Sequence, residues 1–281
     1  MLVVGVAVDI ARVEEKLIVQ ELRSKLGDAV LIDTRNEPIP LEAPFSLDAV
    51  VVRTISMYRG LYVSALFGAN GVFVVNPWET MIVSGDKILA YARLAEKKIP
   101  VPATVIATSK EAAIRAAREK GFPIIVKSPI GSWGRLVSKA RSEEELKVIV
   151  EHREALPCSQ QKTMIIQDYV DNGAKDIRCI VVGDELLGCI ERIASKGEWR
   201  SNVALGAKTR PRSTDPELED ISLRAAEAVK GFFVSIDIFE TGNGYLVNEV
   251  NATPEFKGFM RATGLNPARK LAEKIAETLH K

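Results

Sequence analysis

The first 76 residues alternate short apolar runs with amphipathic stretches, and that rhythm restricts the fold more than any other feature. Val3 to Val8 reads as a buried strand and Val13 to Leu26 as a helix. Val30 to Asp33, Ala49 to Arg53 and Val72 to Asn76 read as further strands. Strands separated by helical patterns of roughly 10–15 residues predict a parallel sheet wrapped by helices. Asn76-Pro77 breaks the pattern, because a residue before proline is pushed out of helical geometry. A boundary near residue 84 follows, and a chain of 281 residues then has room for more than one further module.

The second segment, 85–162, opens with a helical pattern from Asp86 to about Lys97 and continues with another over Lys110 to Glu119. The run Pro123 to Lys127 then meets a glycine-containing loop, followed by a strand and a helix over Glu143 to Glu154. The unit 121–161 is too small to bury much surface alone, which suits a lid. The third segment, 163–281, is rich in strands: Met164 to Tyr169, Ile177 to Val182, Glu185 to Arg192, Val234 to Glu240 and Tyr245 to Asn251. Gly183-Asp184 and Gly242-Asn243-Gly244 supply hairpin turns, and a helix over Pro216 to Val229 intervenes. Ala268, Leu271, Ala272, Ile275 and Leu279 mark the buried face of a terminal helix. The fold class is α/β, with α+β character after the first sheet.

Composition excludes several functions. Hydrophobic residues at 47% and charged residues at 27% describe a globular chain with ample core. A net charge of +1 argues against broad attraction to nucleic acid or anionic lipid. Cys158, Cys179 and Cys189 make neither an even disulfide framework nor a Cys-x-x-Cys pair, and His152 and His280 are too few for a zinc site. Leu2 to Val8 meets Asp9 too soon for a signal or membrane span, so a cytoplasmic location is expected.

Neither the phosphate loop Gly-x-x-x-x-Gly-Lys-Ser/Thr nor the dinucleotide fingerprint is present. More telling is Ile125-Val126-Lys127 running into Gly131-Ser132-Trp133-Gly134-Arg135. A strand delivers a lysine beside backbone N–H groups that can surround phosphate oxygens. An ordinary glycine turn beside an exposed lysine is the alternative.

Asn248-Glu249-Val250-Asn251 carries the strongest local signal. Residues two apart in a strand share a face, so Glu249 and Asn251 point together. A three-residue loop at Gly242-Asn243-Gly244 pairs Thr241 with Tyr245 and sets Asp237 opposite Glu249. A two-residue loop sends Asp237 to the other face. Facing carboxylates ask for a cation, and oxygen-only ligands suit magnesium shared with substrate phosphates. The basic residues Arg192, Lys196, Arg200, Lys208, Arg210 and Arg212 fall between these elements, either as a solvated loop or beside an acidic ligand. Asp176-Ile177-Arg178 sends both of its polar residues to one face.

Taken together, these motifs resemble an ATP-grasp carboxylate–amine ligase, over essentially the whole chain and in the family's order. Ser84-Gly85-Asp86-Lys87, Val126-Lys127 with the glycine loop, Gln167-Asp168-Tyr169-Val170, Asp176-Ile177-Arg178, Arg200-Ser201-Asn202, Asp237 and Asn248-Glu249-Val250-Asn251 carry the likeness. Within the family the chain is similar to the branch of the ribosomal protein S6 glutamate-adding ligase, and there to the archaeal LysX/ArgX group. That group attaches glutamate or 2-aminoadipate to the amino-group carrier protein LysW. Asn251-Ala252-Thr253-Pro254-Glu255-Phe256-Lys257-Gly258-Phe259 carries the closer match, and a Gly-Phe pair at Gly258-Phe259 is associated with glutamate, hence with arginine biosynthesis. An Asn-Thr or Asn-Ala pair there is associated with 2-aminoadipate and lysine biosynthesis.

The resemblance implies roles. Lys87 and Lys127 hold ATP phosphates under a flap of Gly131, Ser132, Trp133, Gly134, Arg135, Leu136 and Val137. Gln167, Asp168, Tyr169 and Val170 read adenine, with Asp168 standing where relatives often carry glutamate, and Asp176 approaches the sugar. Arg200 and Asn202 lie near the transferred phosphate, and Asp237, Glu249 and Asn251 hold magnesium, as two ions. Arg53, Arg192, Val203, Ala204, Leu205, Gly206, Ala207, Phe256, Lys257, Gly258, Phe259 and Met260 shape the amino-acid pocket, with Arg53 either on a substrate carboxylate or in a surface ion pair. Lys127, Arg178, Arg192 and Asn202 serve catalysis through an acyl phosphate. A homo-oligomer, dimer or tetramer, is expected, with no nucleic-acid or membrane partner. A nucleotide sensor or a small-molecule kinase are the rival classes.

Overall fold

The computed structural model describes residues 2–42, 44–201 and 206–280. Its first part comprises β1 (Leu2–Val8), α1 (Val13–Leu26), β2 (Gly27–Asp33), β3 (Ala49–Val52), α2 (Met57–Ala69), β4 (Phe73–Val75) and α3 (Trp78–Gly85). The strands form one parallel sheet in the order β2-β1-β3-β4, as the alternation predicts. α1 begins where Glu15 accepts the backbone N–H of Arg12 at 2.9 Å, and it buries Ile18 and Leu22 against Val4 and Val6. The sequence reading missed α2 and α3. In α2 the exposed Tyr58 and Tyr62 extend apolar character beyond the buried Val63 and Phe67, which blurs the helical period. Ser56 caps α2 through Arg59 N–H, and Pro77 both ends the strand region and precedes α3.

The central part comprises α4 (Lys87–Glu96), β5 (Thr104–Ala107), α5 (Lys110–Lys120), β6 (Ile124–Lys127), β7 (Val137–Ala140), α6 (Glu143–Glu154), α7 (Ser159–Lys162) and β8 (Met164–Asp168). Asp86, Ser109 and Ser142 cap α4, α5 and α6 by accepting backbone N–H groups. The sheet runs β5-β8-β6-β7, all pairs antiparallel. β8, grouped by its sequence position with segment 163–281, hydrogen-bonds to both β5 and β6 and is thus part of the central sheet. Its two partners explain why Met164 to Gln167 are all buried.

The last part comprises β9 (Lys175–Val182), β10 (Glu185–Ile193), β11 (Lys208–Arg212), α8 (Pro216–Ala228), β12 (Phe233–Thr241), β13 (Gly244–Asn251), α9 (Lys257–Thr263) and α10 (Pro267–Leu279). Its antiparallel sheet has the order β11-β10-β9-β12-β13. Part of the charge run expected as a loop is the edge strand β11. Arg210 binds Glu191 on β10, and Arg212 binds Glu240 at 2.8 Å, so its charges are matched across strands. Cys179 and Cys189, left unpaired by the sequence reading, face each other on β9 and β10 with Cα atoms 4.1 Å apart and form a disulfide. Strand register, invisible to spacing alone, brings them together.

Several contacts unite the first and last parts. α1 and α10 pack together, and Leu22, Leu271 and Ile275 share one core with Val4, Val182 and Phe233. Asn76 is buried between them and satisfies its amide completely. It donates to the carbonyls of Phe233 and Ala252, both at 2.7 Å, and accepts from Phe232 and Phe233 N–H at 2.7 and 2.8 Å. Among the described residues no helix is long and apolar enough to cross a membrane.

Candidate active site

Side chains from β9, β10, β12 and β13 converge because cross-strand partners share a face. Arg192 lies opposite Asp176, Asp237 opposite Arg178, and Glu249 opposite Asp237. The last pairing arises by an unexpected route. The β12–β13 hairpin pairs Thr241 with Gly244, leaving the two-residue loop that alone would turn Asp237 away. A bulge between Ile238–Val247 and Asp237–Glu249 leaves Asn248 as the extra residue and restores the shared face. Val247 and Val250 are therefore both buried in the core, while Asn248 and Glu249 both line the cavity.

Asp237 is held by two arginines. Arg178 donates to both its oxygens at 2.7 and 2.8 Å, and Arg192 approaches one at 2.8 Å while also binding Asp176. Burial pushes the Asp237 carboxyl up, but the Arg178 and Arg192 charges outweigh it and hold the group at about 2. At Asp176 burial wins, and its carboxyl is raised. Arg192, 2% exposed, thus lies between two acids of unequal proton affinity.

Above this ladder lies a cavity with two ends. Ile125, Val137, Tyr169, Trp199 and Phe239 line it with apolar surface beside the Gln167–Val170 hinge, a slot suited to a flat aromatic base. The Asp168 carboxylate pairs with Lys120 at 2.8 Å. At the other end stand Lys87 and Lys127. Lys87 donates to Gly131 O at 2.8 Å and pairs with Glu249 at 3.0 Å. Lys127 donates to Asn248 Oδ1 at 2.7 Å and to the Tyr91 hydroxyl at 3.2 Å. Desolvation lowers the Lys127 ammonium to about 7, with Lys87 repulsion adding to it and Glu249 opposing it. The flap, Gly131 to Arg135, closes this end, and Arg200 fastens it through Gly134 O at 3.0 Å. Leu136 continues it, its carbonyl accepting from Ser128 N–H.

A second cavity adjoins the phosphate end, and Ser132, Trp133, Arg192 and Glu249 line both. Arg12, Arg178, Asn251, Thr253 and Glu255 complete its polar wall. Magnesium fits the oxygen-rich side of this junction. Asn251 carries a buried amide nitrogen with no hydrogen-bond partner, and an amide flip exchanges that atom for an oxygen. Among the described residues no three His, Cys, Asp or Glu side chains converge as a metal cluster, so an ion held by Glu249 and Asn251 would need phosphate oxygens to complete its shell.

Other expected residues lie elsewhere. Arg53 is 1% exposed, pairs with Glu15 at 3.1 Å and lies 5.8 Å from the Phe233 and Phe256 rings. It is neither a substrate contact nor a surface ion pair, because β3 ends inside the junction with the last sheet. Phe256 and Phe259 are core residues beside Leu22 and Leu271, and Met260 packs against the same core. Lys257 is half-exposed and a Cβ at Gly258 would meet Thr209 of β11, and both residues lie outside these two cavities. Gly206 accepts from Ser195 Oγ and, with Ala207, lies outside both cavities. Asn202, Val203, Ala204 and Leu205 lie outside the described residues. Sequence reasoning missed Arg12, Tyr91, Trp199, Phe239 and Asn248. Period-two counting hid Asn248, while nothing local distinguished Tyr91 or Phe239 from ordinary core.

A sheet-borne base slot, a flap over two lysines and an acidic strand end define an ATP-grasp enzyme. Residues 84–275 match the RimK-like ATP-grasp domain and residues 4–83 the LysX preATP-grasp domain, so the chain belongs to the RimK-like ATP-grasp family of ATP-dependent ligases. It is 47% identical over 276 residues, 98% of each chain, to the glutamate–LysW ligase ArgX of Sulfurisphaera tokodaii. It is 35% identical to the alpha-aminoadipate–LysW ligase LysX of the same organism, covering 100% of both chains. In fold it resembles a RimK-domain ATP-grasp protein of Sphaerobacter thermophilus, with a TM-score of 0.80 at 24% identity over 96% of this chain and 98% of that one.

Proposed function

We propose that this ligase joins the amino group of glutamate to the side-chain carboxylate of the C-terminal glutamate of a LysW-like carrier, in arginine biosynthesis. The carrying observation is the arginine-walled second cavity opening directly onto the phosphate end of the first. A carboxylate beside Arg178 and Arg192 attacks the γ-phosphorus of a nucleotide beside Lys127 and Lys87, breaking the bond to the β-phosphate so that ADP leaves and an acyl phosphate forms; the amine then attacks the acyl carbon, and phosphate leaves as the nitrogen gives up a proton to form the amide. The two arginines offset charge on the reacting oxygens, and the flap excludes water that would hydrolyse the acyl phosphate. Glu249, Asn251 and Asp237 would hold magnesium, as two ions, which would supply neutralisation of the phosphate charge. The greater similarity to the glutamate ligase than to the alpha-aminoadipate ligase supports glutamate. The enzyme works in the cytoplasm as a homo-oligomer, with units 1–84, 85–168 and 169–281 and a lid at about 121–161.

The decisive experiment measures ADP release with purified carrier, crossing glutamate against 2-aminoadipate, followed by the mass of the carrier. A glutamate-sized increment with a preference for glutamate is expected; ATP binding without ADP release would reveal a sensor, and turnover with a hydroxyl acceptor a kinase. Glu249→Gln and Lys127→Ala should each lower kcat about a hundred-fold, the scale of one lost preorganised electrostatic contact. Near-native turnover in both would remove them from the mechanism.

A further inference from the structure

The ion pair between Arg12 and Glu255 has the form of a bound substrate. Arg12 stands on the wall of the second cavity, just before α1. One edge of its guanidinium is locked by the buried Glu15, with Nη2 donating at 2.9 Å and Nε at 3.2 Å. Glu15 is itself held by Arg53. The remaining donor, Nη1, faces Glu255 Oε1 at 2.8 Å. Glu255 differs from Glu15 in every respect that matters. Its side chain is 47% exposed, while Glu15 is fully buried. Its backbone is anchored nearby, because Arg53 donates to Pro254 O at 2.9 Å, so the side chain can swing without moving the loop. The chain therefore presents a glutamate carboxylate to a rigidly held arginine inside a cavity adjoining the phosphate end.

We propose that Arg12 Nη1 is the receptor for a non-reacting carboxylate of one of the two glutamate-bearing substrates, and that Glu255 occupies that place until the substrate displaces it. This rests on the ligase reading above. Replacing one carboxylate by another leaves the charge of the Arg12–Glu15–Arg53 group unchanged. Binding then swaps one ion pair for another instead of desolvating a bare guanidinium, and it discriminates against substrates lacking the carboxylate. Arg12 is pre-positioned by Glu15, so little side-chain freedom is lost on exchange.

The signature of an internal competitor is that its two members act in opposite directions. Glu255→Gln should lower the KM for one carboxylate substrate about three-fold, and Arg12→Lys should raise the same KM about ten-fold, with the KM for ATP unmoved in both. If the glutamate KM moves, the free amino acid is the source of the carboxylate; if the carrier KM moves, its terminal residue is. A purely structural ion pair makes both variants change in the same direction, or leaves both KM values in place, and either result overturns the proposal. Arg12 also supports Glu15, so melting curves accompany the kinetics; if Arg12→Lys does not fold, the exposed Glu255→Gln decides by its sign alone. Should the wild-type chain release no ADP, the ligase reading fails separately. Calorimetric titration with glutarate then tests the exchange itself: tighter binding to Glu255→Gln than to wild type supports it, and equal binding overturns it.

Discussion

Lys127 must be cationic to meet a phosphate, yet it stands where charge is disfavoured. Burial, with Lys87 nearby, lowers its ammonium from 10.5 to about 7 despite Glu249. Between those values the unfolded chain binds more protons, so this group's contribution to the stability of the nucleotide-free protein rises with pH through that window and is lost as pH falls through about 7. Anionic phosphates restore the charged form. Nucleotide binding at alkaline pH should therefore take up a proton, and affinity should fall as pH rises above about 7. Calorimetry in buffers of different ionisation enthalpy measures the uptake, and Lys127→Met should abolish it. Phe259 poses a different residue-scale problem, because it is fully buried beside Leu22 and Leu271. Phe259→Thr should cost about 3 kcal/mol of stability, the scale of a large core truncation, measurable by denaturant unfolding. A substrate preference read from Gly258→Asn with Phe259→Thr is meaningful only after that loss has been measured.

The flap is an element whose position depends on side chains from outside it. Lys87 reaches the Gly131 carbonyl and Arg200 the Gly134 carbonyl. Arg200 is the cleaner probe, since its other bonds to Glu198 stay within its own loop. Arg200→Ala should raise the KM for ATP about ten-fold, as expected for losing a hydrogen bond of ~1.5–3 kcal/mol from a charged donor, with little change in melting temperature. Steady-state kinetics at fixed carrier and glutamate would expose the opposite pattern. The β13 bulge works at the same scale: one extra residue lets Asn248 and Glu249 both face the cavity, and that places an acceptor on Lys127.

For the whole molecule, the second cavity exists only while the first and last parts remain joined, because Arg12 comes from the first and Arg178, Arg192 and Glu249 from the last. Asn76 is a buried polar tie between them, with four hydrogen bonds. Asn76→Ala strands several buried partners, each costing about 1–3 kcal/mol. A loss of about 3 kcal/mol or more should appear in calorimetry as a drop of roughly 6–12 °C in a chain of this size. Separate melting of the two parts is the further effect to look for in the same scan.

The sequence by itself determined the rhythm of elements: the parallel sheet, the amphipathic terminal helix, the strand leading Lys127 into a glycine loop, and the common side of Glu249 and Asn251. All of these depend on side-chain directions that repeat along one segment, so a local pattern suffices. Tertiary structure decided the rest. The two-residue turn and the bulge cancel in their effect on Asp237, and neither leaves a trace in strict alternation. β8 joined the central sheet and Arg53 was buried because segments distant in sequence arrived beside them, while Cys179 met Cys189 across a single hairpin whose register sets them opposite each other. A residue's own periodicity tells which way it points; what waits there is set by register and packing between segments, and those are properties of the assembled fold.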